Sequence, residues 1–117
     1  MRLHVLGTAA GGGVPQWNCA CPGCSGARAV PSWRRLHASI AVEAEPGRVY
    51  VVNATPDIGE QIERCGWLRP DGRRTPLAGV ILTDAELDHT LGLARLGGRP
   101  SARTRAYATV RYGNGRC

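Results

Sequence analysis

The chain has 117 residues, room for one small domain and not for two, and 43% of them are apolar, which allows a packed core and excludes wholesale disorder. Its formal charge of +6 comes from 15 basic residues, all arginine, against 9 acids. Residues 1–90 hold nine of each sign; the excess lies in Arg95, Arg99, Arg103, Arg105, Arg111 and Arg116, so the body is not the polyanion-binding surface that the total suggests.

No stretch approaches the ~20 apolar residues of a membrane-spanning helix. The start, Met1 to Leu6, is interrupted by His4 and lacks the apolar core of a secretory signal. A cytoplasmic, reducing location without membrane insertion is therefore expected. There, five cysteines read as metal ligands rather than as disulfides.

Arg2 to Thr8 alternates, with Leu3 and Val5 opposite Arg2 and His4, and predicts a first strand. A glycine-rich loop, Gly7 to Gly13, and a cysteine cluster follow. Ser39 to Glu45 alternates again, Glu45-Pro46-Gly47 is a turn, and Val49 to Val52 is an apolar run; together they predict a hairpin. Thr55-Pro56-Asp57 predicts a helix start with Thr55 as cap, and Ile58, Ile62 and Cys65 form one buried stripe that Gly66 ends. Trp67 to Pro76 reads as a loop and Leu77 to Leu82 as a buried strand. Thr83 to His89 reads as a polar loop, Thr90 to Leu96 as a short helix, and Ala106 to Val110 as one more strand. This order is that of an α/β layer with a mixed sheet.

Two clusters carry chemistry. Cys19, Cys21 and Cys24 form C-x-C-x-x-C, with Pro22-Gly23 expected as a tight turn. Three thiolates at this spacing suit a structural zinc, which takes four sulfur or imidazole ligands. Cys65, His37 and Cys117 are candidates for the fourth, and the Cys65 stripe points it toward the core. The bland alternative is a set of small buried thiols. The second cluster is Thr83-Asp84-Ala85-Glu86-Leu87-Asp88-His89, at the carboxyl end of a buried strand, where α/β proteins place their sites. In an extended loop Asp84, Glu86 and Asp88 project the same way and need a cation to neutralise them. The bland alternative is a solvated turn with Asp88 as a helix cap.

These motifs resemble a known family. Leu82 to Thr90 is similar to the His-x-His-x-Asp-His metal loop of the metallo-β-lactamase superfamily, with Asp84 and Glu86 in place of the leading histidines. Gly7 to Cys24, Ser39 to Val42, Asn53 to Ile58 and Thr83 to Leu93 resemble the pyrroloquinoline quinone (PQQ) synthesis protein B family. The likeness runs from residue 1 to about 96.

The resemblance implies the amino-terminal half of an αββα sandwich with mixed β-sheets. Residues 1–98 would form the partial domain, with a zinc loop at 17–25, and 99–117 a divergent basic tail from a truncated or frame-shifted gene. It also implies a cytoplasmic step in PQQ synthesis from a peptide-derived precursor. One role is metal-dependent hydroxylation of a tyrosine-derived intermediate; the other is help in moving PQQ or its precursor toward the periplasm. Cys19, Cys21 and Cys24 would hold structural zinc. Glu86, Asp88 and His89 would hold an active-site iron or zinc, with Asp84 orienting or acting as base beside Asp88.

Three alternatives stand beside this. One is a phosphodiesterase-like metal hydrolase of the same superfamily. Another is a small zinc module binding nucleic acid through the arginine tail, with Tyr107 and Tyr112 to stack on bases; the neutral body argues against it. The third is an inactive fragment whose apolar sheet face drives self-association. Metal analysis should find about one tightly held zinc per chain. Zinc-free protein, with folding unchanged by Cys21→Ser, would remove the zinc loop from consideration.

Overall fold

The computed structural model describes residues 1–72 and 74–97, together with the backbone of Arg105–Ala108. Strands β1 (Arg2–Gly7), β2 (Ser39–Glu45), β3 (Arg48–Val52), β4 (Leu77–Leu82) and β5 (Arg105–Ala108) form one sheet in chain order. The pairs β1–β2 and β2–β3 are antiparallel, while β3–β4 and β4–β5 are parallel. The mixed sheet and the hairpin are therefore those expected. The last strand starts one residue earlier than its apolar pattern predicts.

Helix α2 (Ile58–Arg64) is the crossover between the parallel strands β3 and β4. Its cap is Asp57 rather than Thr55, whose hydroxyl instead donates to Asp57 Oδ1 at 2.7 Å. Ile58 and Cys65 are buried against Ala41, Val49, Val51, Leu68 and Leu77, and Ile62 packs on the same cluster. Each large aliphatic in such a core contributes about 1.5–3 kcal/mol by leaving water.

The sheet faces are occupied differently from what residue polarity suggests. The α2 side takes Ser39, Ala41 and Glu43 of β2. Glu43 tolerates this because Gly47 N–H donates to it and Arg2 pairs with it, which holds its carboxyl below the usual range. The opposite side carries Leu3, Val5, Ile40 and Ile81, which stay 63%, 60%, 38% and 40% exposed. In register, Leu3 lies against Val42, Val5 against Ile40, Ile40 against Val52, and Val52 against Ile81. Among the described residues nothing covers this apolar face. Val49 and Val51 are fully buried, but β3 and β4 are covered on one face and not on both.

The cysteine segment is helical where a turn was expected. Pro22 opens α1 (Pro22–Ala29), a 3-10 turn follows at Pro31–Trp33, and Cys21 caps α1 by accepting from Cys24 N–H. Proline with fixed φ and no N–H suits the first helical position, so Pro22-Gly23 starts a helix. Helix formation also begins early in the acidic segment. α3 (Leu87–Thr90) and α4 (Leu93–Leu96) replace the single helix predicted over Thr90–Leu96, so Asp88 and His89 are helical.

Gly92 lies between α3 and α4, against the corner that follows β3. Its N–H donates to Ala54 O at 2.9 Å, and a Cβ there would run into the Thr55 and Ala54 carbonyls. Gly92→Ala is expected to destabilise the fold by about 2 kcal/mol. Chemical denaturation checks this; an unchanged midpoint would show that the corner does not constrain the loop.

Candidate metal centres

The cysteine site is built on the first turn of α1. The Sγ atoms of Cys19, Cys21 and Cys24 all lie within 4.8 Å of one another. Among the described residues they alone form such a set of three His, Cys, Asp or Glu ligand atoms. Tetrahedral zinc with Zn–S bonds of about 2.3 Å needs sulfurs about 3.8 Å apart. Two N–H groups point at the sulfurs: Cys24 N–H at Cys21 Sγ and Gln16 N–H at Cys24 Sγ, each at 3.4 Å. The Cys24 N–H, with the neighbouring thiols, pulls the Cys21 thiol down to about 7. Cys19 moves the other way: a lowering Cys21 N–H is outweighed by the Cys21 and Cys24 thiols, which raise it. Cys21 thus carries thiolate character near neutral pH, the form that binds metal.

Arg28 staples this loop from the end of α1. Its guanidinium donates to Cys19 O at 2.6 Å and Gln16 O at 2.8 Å. Sequence reasoning missed this, because nothing in a lone arginine signals which carbonyls it will meet.

Cys65 is 1% exposed and sealed in the hydrophobic cluster. Cys117 lies outside the described residues. His37 has both ring nitrogens engaged elsewhere: Nδ1 on Asp57 Oδ2 and Nε2 on Gly11 O, each at 2.9 Å.

The second site is built where β3 and β4 end. Asn53 follows β3 with φ +66°, a conformation asparagine tolerates better than most residues. Its Oδ1 accepts from Thr83 N–H at 3.0 Å and from the Thr83 hydroxyl at 3.1 Å, which fixes the start of the acidic segment. The next residue, Ala54, donates to His89 O at 2.8 Å and accepts from Gly92.

Asp84 sits at the centre. Its Oδ1 accepts from Glu86 N–H at 3.0 Å and meets His89 Nδ1 at 2.6 Å; its Oδ2 lies 3.0 Å from the Thr83 hydroxyl, whose single proton it shares with Asn53 Oδ1. The Glu86 N–H first, then His89 and Thr83, hold its carboxyl below the usual range. With Nδ1 engaged, His89 presents Nε2, which lies 3.8 Å from Asp88 Oδ2. A carboxylate on one imidazole nitrogen and a free second nitrogen is the common arrangement for a metal-binding histidine. Asp88 and His89 therefore fit a shared ion, with Asp84 behind His89. Glu86 is exposed at the cap of α3 and is not gathered with Asp88 and His89 into a three-ligand set. The three carboxylates do not project together, because the segment turns at Asp84 and is helical from Leu87.

The glycine loop closes against this site. A Cβ on Gly11 would lie 3.1 Å from Asp88 Oδ2. The loop is held there by His37, whose backbone N–H also donates to Asp57 Oδ2 at 3.0 Å and whose carbonyl accepts from buried Gln61 at 2.8 Å.

Comparison with known proteins places this geometry. No family model matches the chain. Coenzyme PQQ synthesis protein B of Rhodopseudomonas palustris CGA009 is 47% identical over 96 residues, 80% of this chain and 31% of that protein. The Methylobacillus flagellatus protein of that name is 45% identical over 100 residues, 82% of this chain and 33% of that protein. Over this segment the chain is a relative of PQQ synthesis protein B. Zn(2+)-bound PqqB from Methylobacterium extorquens superposes with a TM-score of 0.85 and 42% identity over 93% of this chain and 37% of that one. A diphosphatase from the PhnP family superposes at 0.64 with 33% identity over 80% of this chain. The fold is the amino-terminal part of a metallo-β-lactamase fold. The chain spans about a third of the curated PQQ synthesis protein B relatives, less than the half expected.

His37 generates a pH prediction. Both its ring nitrogens face acceptors, the Asp57 carboxylate and a carbonyl, which satisfies only the doubly protonated ring. Burial lowers its pKa, but Asp57, Gly11 and the charge of Asp88 outweigh burial and raise it above 6.5. Asp57 shifts the opposite way, below 3.8, because His37 and Thr55 outweigh its burial. The His37 stabilisation is therefore full below 6.5 and lost as pH rises through the raised pKa; the Asp57 part is present above 3.8 and lost as pH falls below it. His37→Gln should cost about 2 kcal/mol near pH 5.5, and the cost should shrink above neutrality. Melting temperatures of both proteins across this range check it; a gap that does not vary with pH would refute the charged pair.

Proposed function

We propose that this chain serves in PQQ biosynthesis, as the part of a PQQ synthesis protein B that carries one wall of the active site and a structural zinc loop. The observation that carries this is the joint presence of the Cys19–Cys21–Cys24 set and the Asp84–His89–Asp88 arrangement on a segment 47% identical to such a protein. Zinc in the cysteine loop is supported by the zinc-bound PqqB neighbour and by the thiolate character of Cys21. In this reading the loop is structural, with the described residues supplying three of the four ligands that a closed zinc shell takes.

The reaction proposed is hydroxylation of a tyrosine-derived, peptide-derived precursor in the cytoplasm. An imidazole and carboxylate set with open positions suits iron, which supplies the oxygen chemistry that hydroxylation of a ring needs. His89 would bind through Nε2 and Asp88 through a carboxylate oxygen, with Glu86 as a third ligand only if its side chain swings inward. Asp84 orients His89. Its two oxygens are already engaged and its pKa is lowered, which makes it a poor base. Gly11, where a side chain would meet Asp88, lies on that side of the site and limits what can approach. A role in moving PQQ toward the periplasm would be indirect: among the described residues no helix is long and apolar enough to cross a membrane. The uncovered face around Leu3, Val5, Ile40 and Ile81 would meet either the remaining layer of the sandwich or a second copy.

A metal-dependent hydrolase is a second reading, favoured by the likeness to a diphosphatase. A chimera separates the two. Grafting residues 1–97 in place of the matching third of a full-length PQQ synthesis protein B should restore PQQ formation in a host lacking its own. Asp88→Asn or His89→Gln in the graft should reduce it by about a hundredfold or more. A folded chimera that makes no PQQ but cleaves bis(p-nitrophenyl) phosphate would establish the hydrolase instead.

A further inference from the structure

From Met1 to Val42 the chain contains no aspartate or glutamate, only Arg2, Arg28, Arg34 and Arg35 among charged residues other than histidine. Two of these four are committed: Arg2 to Glu43, and Arg28 to the carbonyls of Cys19 and Gln16. Arg34 and Arg35 are not. Each is steadied by one neutral acceptor, Arg34 Nε by Ala27 O and Arg35 Nη1 by the Thr8 hydroxyl, both at 3.1 Å. Among the described residues neither guanidinium forms an ion pair.

Both line a groove of about 580 Å³ with Val14, Gly23, Ser32 and Trp33. That volume lies within the range of small-molecule clefts. Trp33 is seated on α1 where Gly26 has no side chain, since a Cβ there would fall 2.6 Å from Trp33 Cζ3. The indole nevertheless stays 58% exposed. A steadied, half-exposed indole and two arginines without ion pairs, all lining one groove, offer a stacking surface and guanidinium donors for a carboxylate.

The geometry points to a binding site for a small aromatic carboxylate in the groove between Trp33 and Arg34–Arg35. It is separate from the Asp84–His89 segment, none of whose residues lines the groove, and it does not rest on the function proposed above. The ring lies against Trp33, and its carboxylate takes the donors that Arg34 and Arg35 leave free.

The test uses the full chain and two probes of equal shape, 2-naphthoate and neutral 2-naphthamide. Their binding is followed by calorimetry and by the indole N–H resonances of Trp17, Trp33 and Trp67. Naphthoate should bind at least about tenfold more tightly than naphthamide and move the Trp33 resonance. Combined Arg34→Gln and Arg35→Gln should remove that preference. Equal affinity of the two probes on the unaltered chain overturns the site, and so does movement confined to Trp17 or Trp67. Inorganic phosphate competing as strongly as naphthoate overturns the aromatic half of the inference. The comparison of probes needs no variant, so a folding defect in the arginine variants leaves the outcome decisive.

Discussion

The acidic site depends on two backbone hydrogen bonds at Ala54. Its N–H donates to His89 O at 2.8 Å and its carbonyl accepts from Gly92 N–H at 2.9 Å. These bonds tie the segment after β4 to the corner after β3, a partner more than thirty residues away in the chain. Buried backbone groups must find partners somewhere. Here that requirement decides where α3 begins, and so where Asp88 and His89 point. The left-handed Asn53 reinforces the same corner, because its side chain takes both the N–H and the hydroxyl of Thr83.

On the other side of the site His37 plays the corresponding part. One side chain joins the glycine loop, through Gly11 O, to the start of α2, through Asp57. Both contacts use donors of one ring, so the loop and the helix are coupled through a single charge state. Asp57 is supported in turn by the Thr55 hydroxyl, the residue whose composition marked it as a cap. The helix begins later than its capping pattern suggests because Asp57 is doubly occupied, accepting from His37 with one oxygen and from Thr55 with the other. The same contacts withdraw His37 from the cysteine cluster.

The two candidate metal centres differ in how local they are. The cysteine site is closed within six residues and a single helical turn, with the capping bond of α1 serving also as a donor to Cys21. The acidic site is assembled from the ends of two strands, a glycine loop and a short helix. The cysteine set is thus a local unit, while the acidic set depends on contacts made across the fold. At the scale of the sheet, Leu3, Val5, Ile40 and Ile81 line up in register on one face and stay exposed among the described residues.

Alternation and turn chemistry located β1 to β4, the hairpin and the crossover helix, because each is a local pattern of apolar spacing. The cysteine spacing located the thiol cluster for the same reason, and the motifs from Gly7 to Cys24 and from Thr83 to Leu93 identified the family resemblance. Helix α1 was not legible: Pro22-Gly23 reads equally as a turn, and only the capping geometry at Cys21 decides. Nor was the buried side of β2, where Ser39 and Glu43 face α2 while Ile40 does not. The roles of Asn53, Arg28 and His37 were also hidden, since each acts through a partner distant in sequence. The sequence by itself determined the strands, the hairpin and the crossover helix, and which residue types gather at Cys19–Cys24 and Asp84–His89. Only the tertiary structure decided which nitrogen of His89 is free, which oxygens of Asp84 are used and that the three carboxylates diverge, because those depend on hydrogen bonds made across the fold.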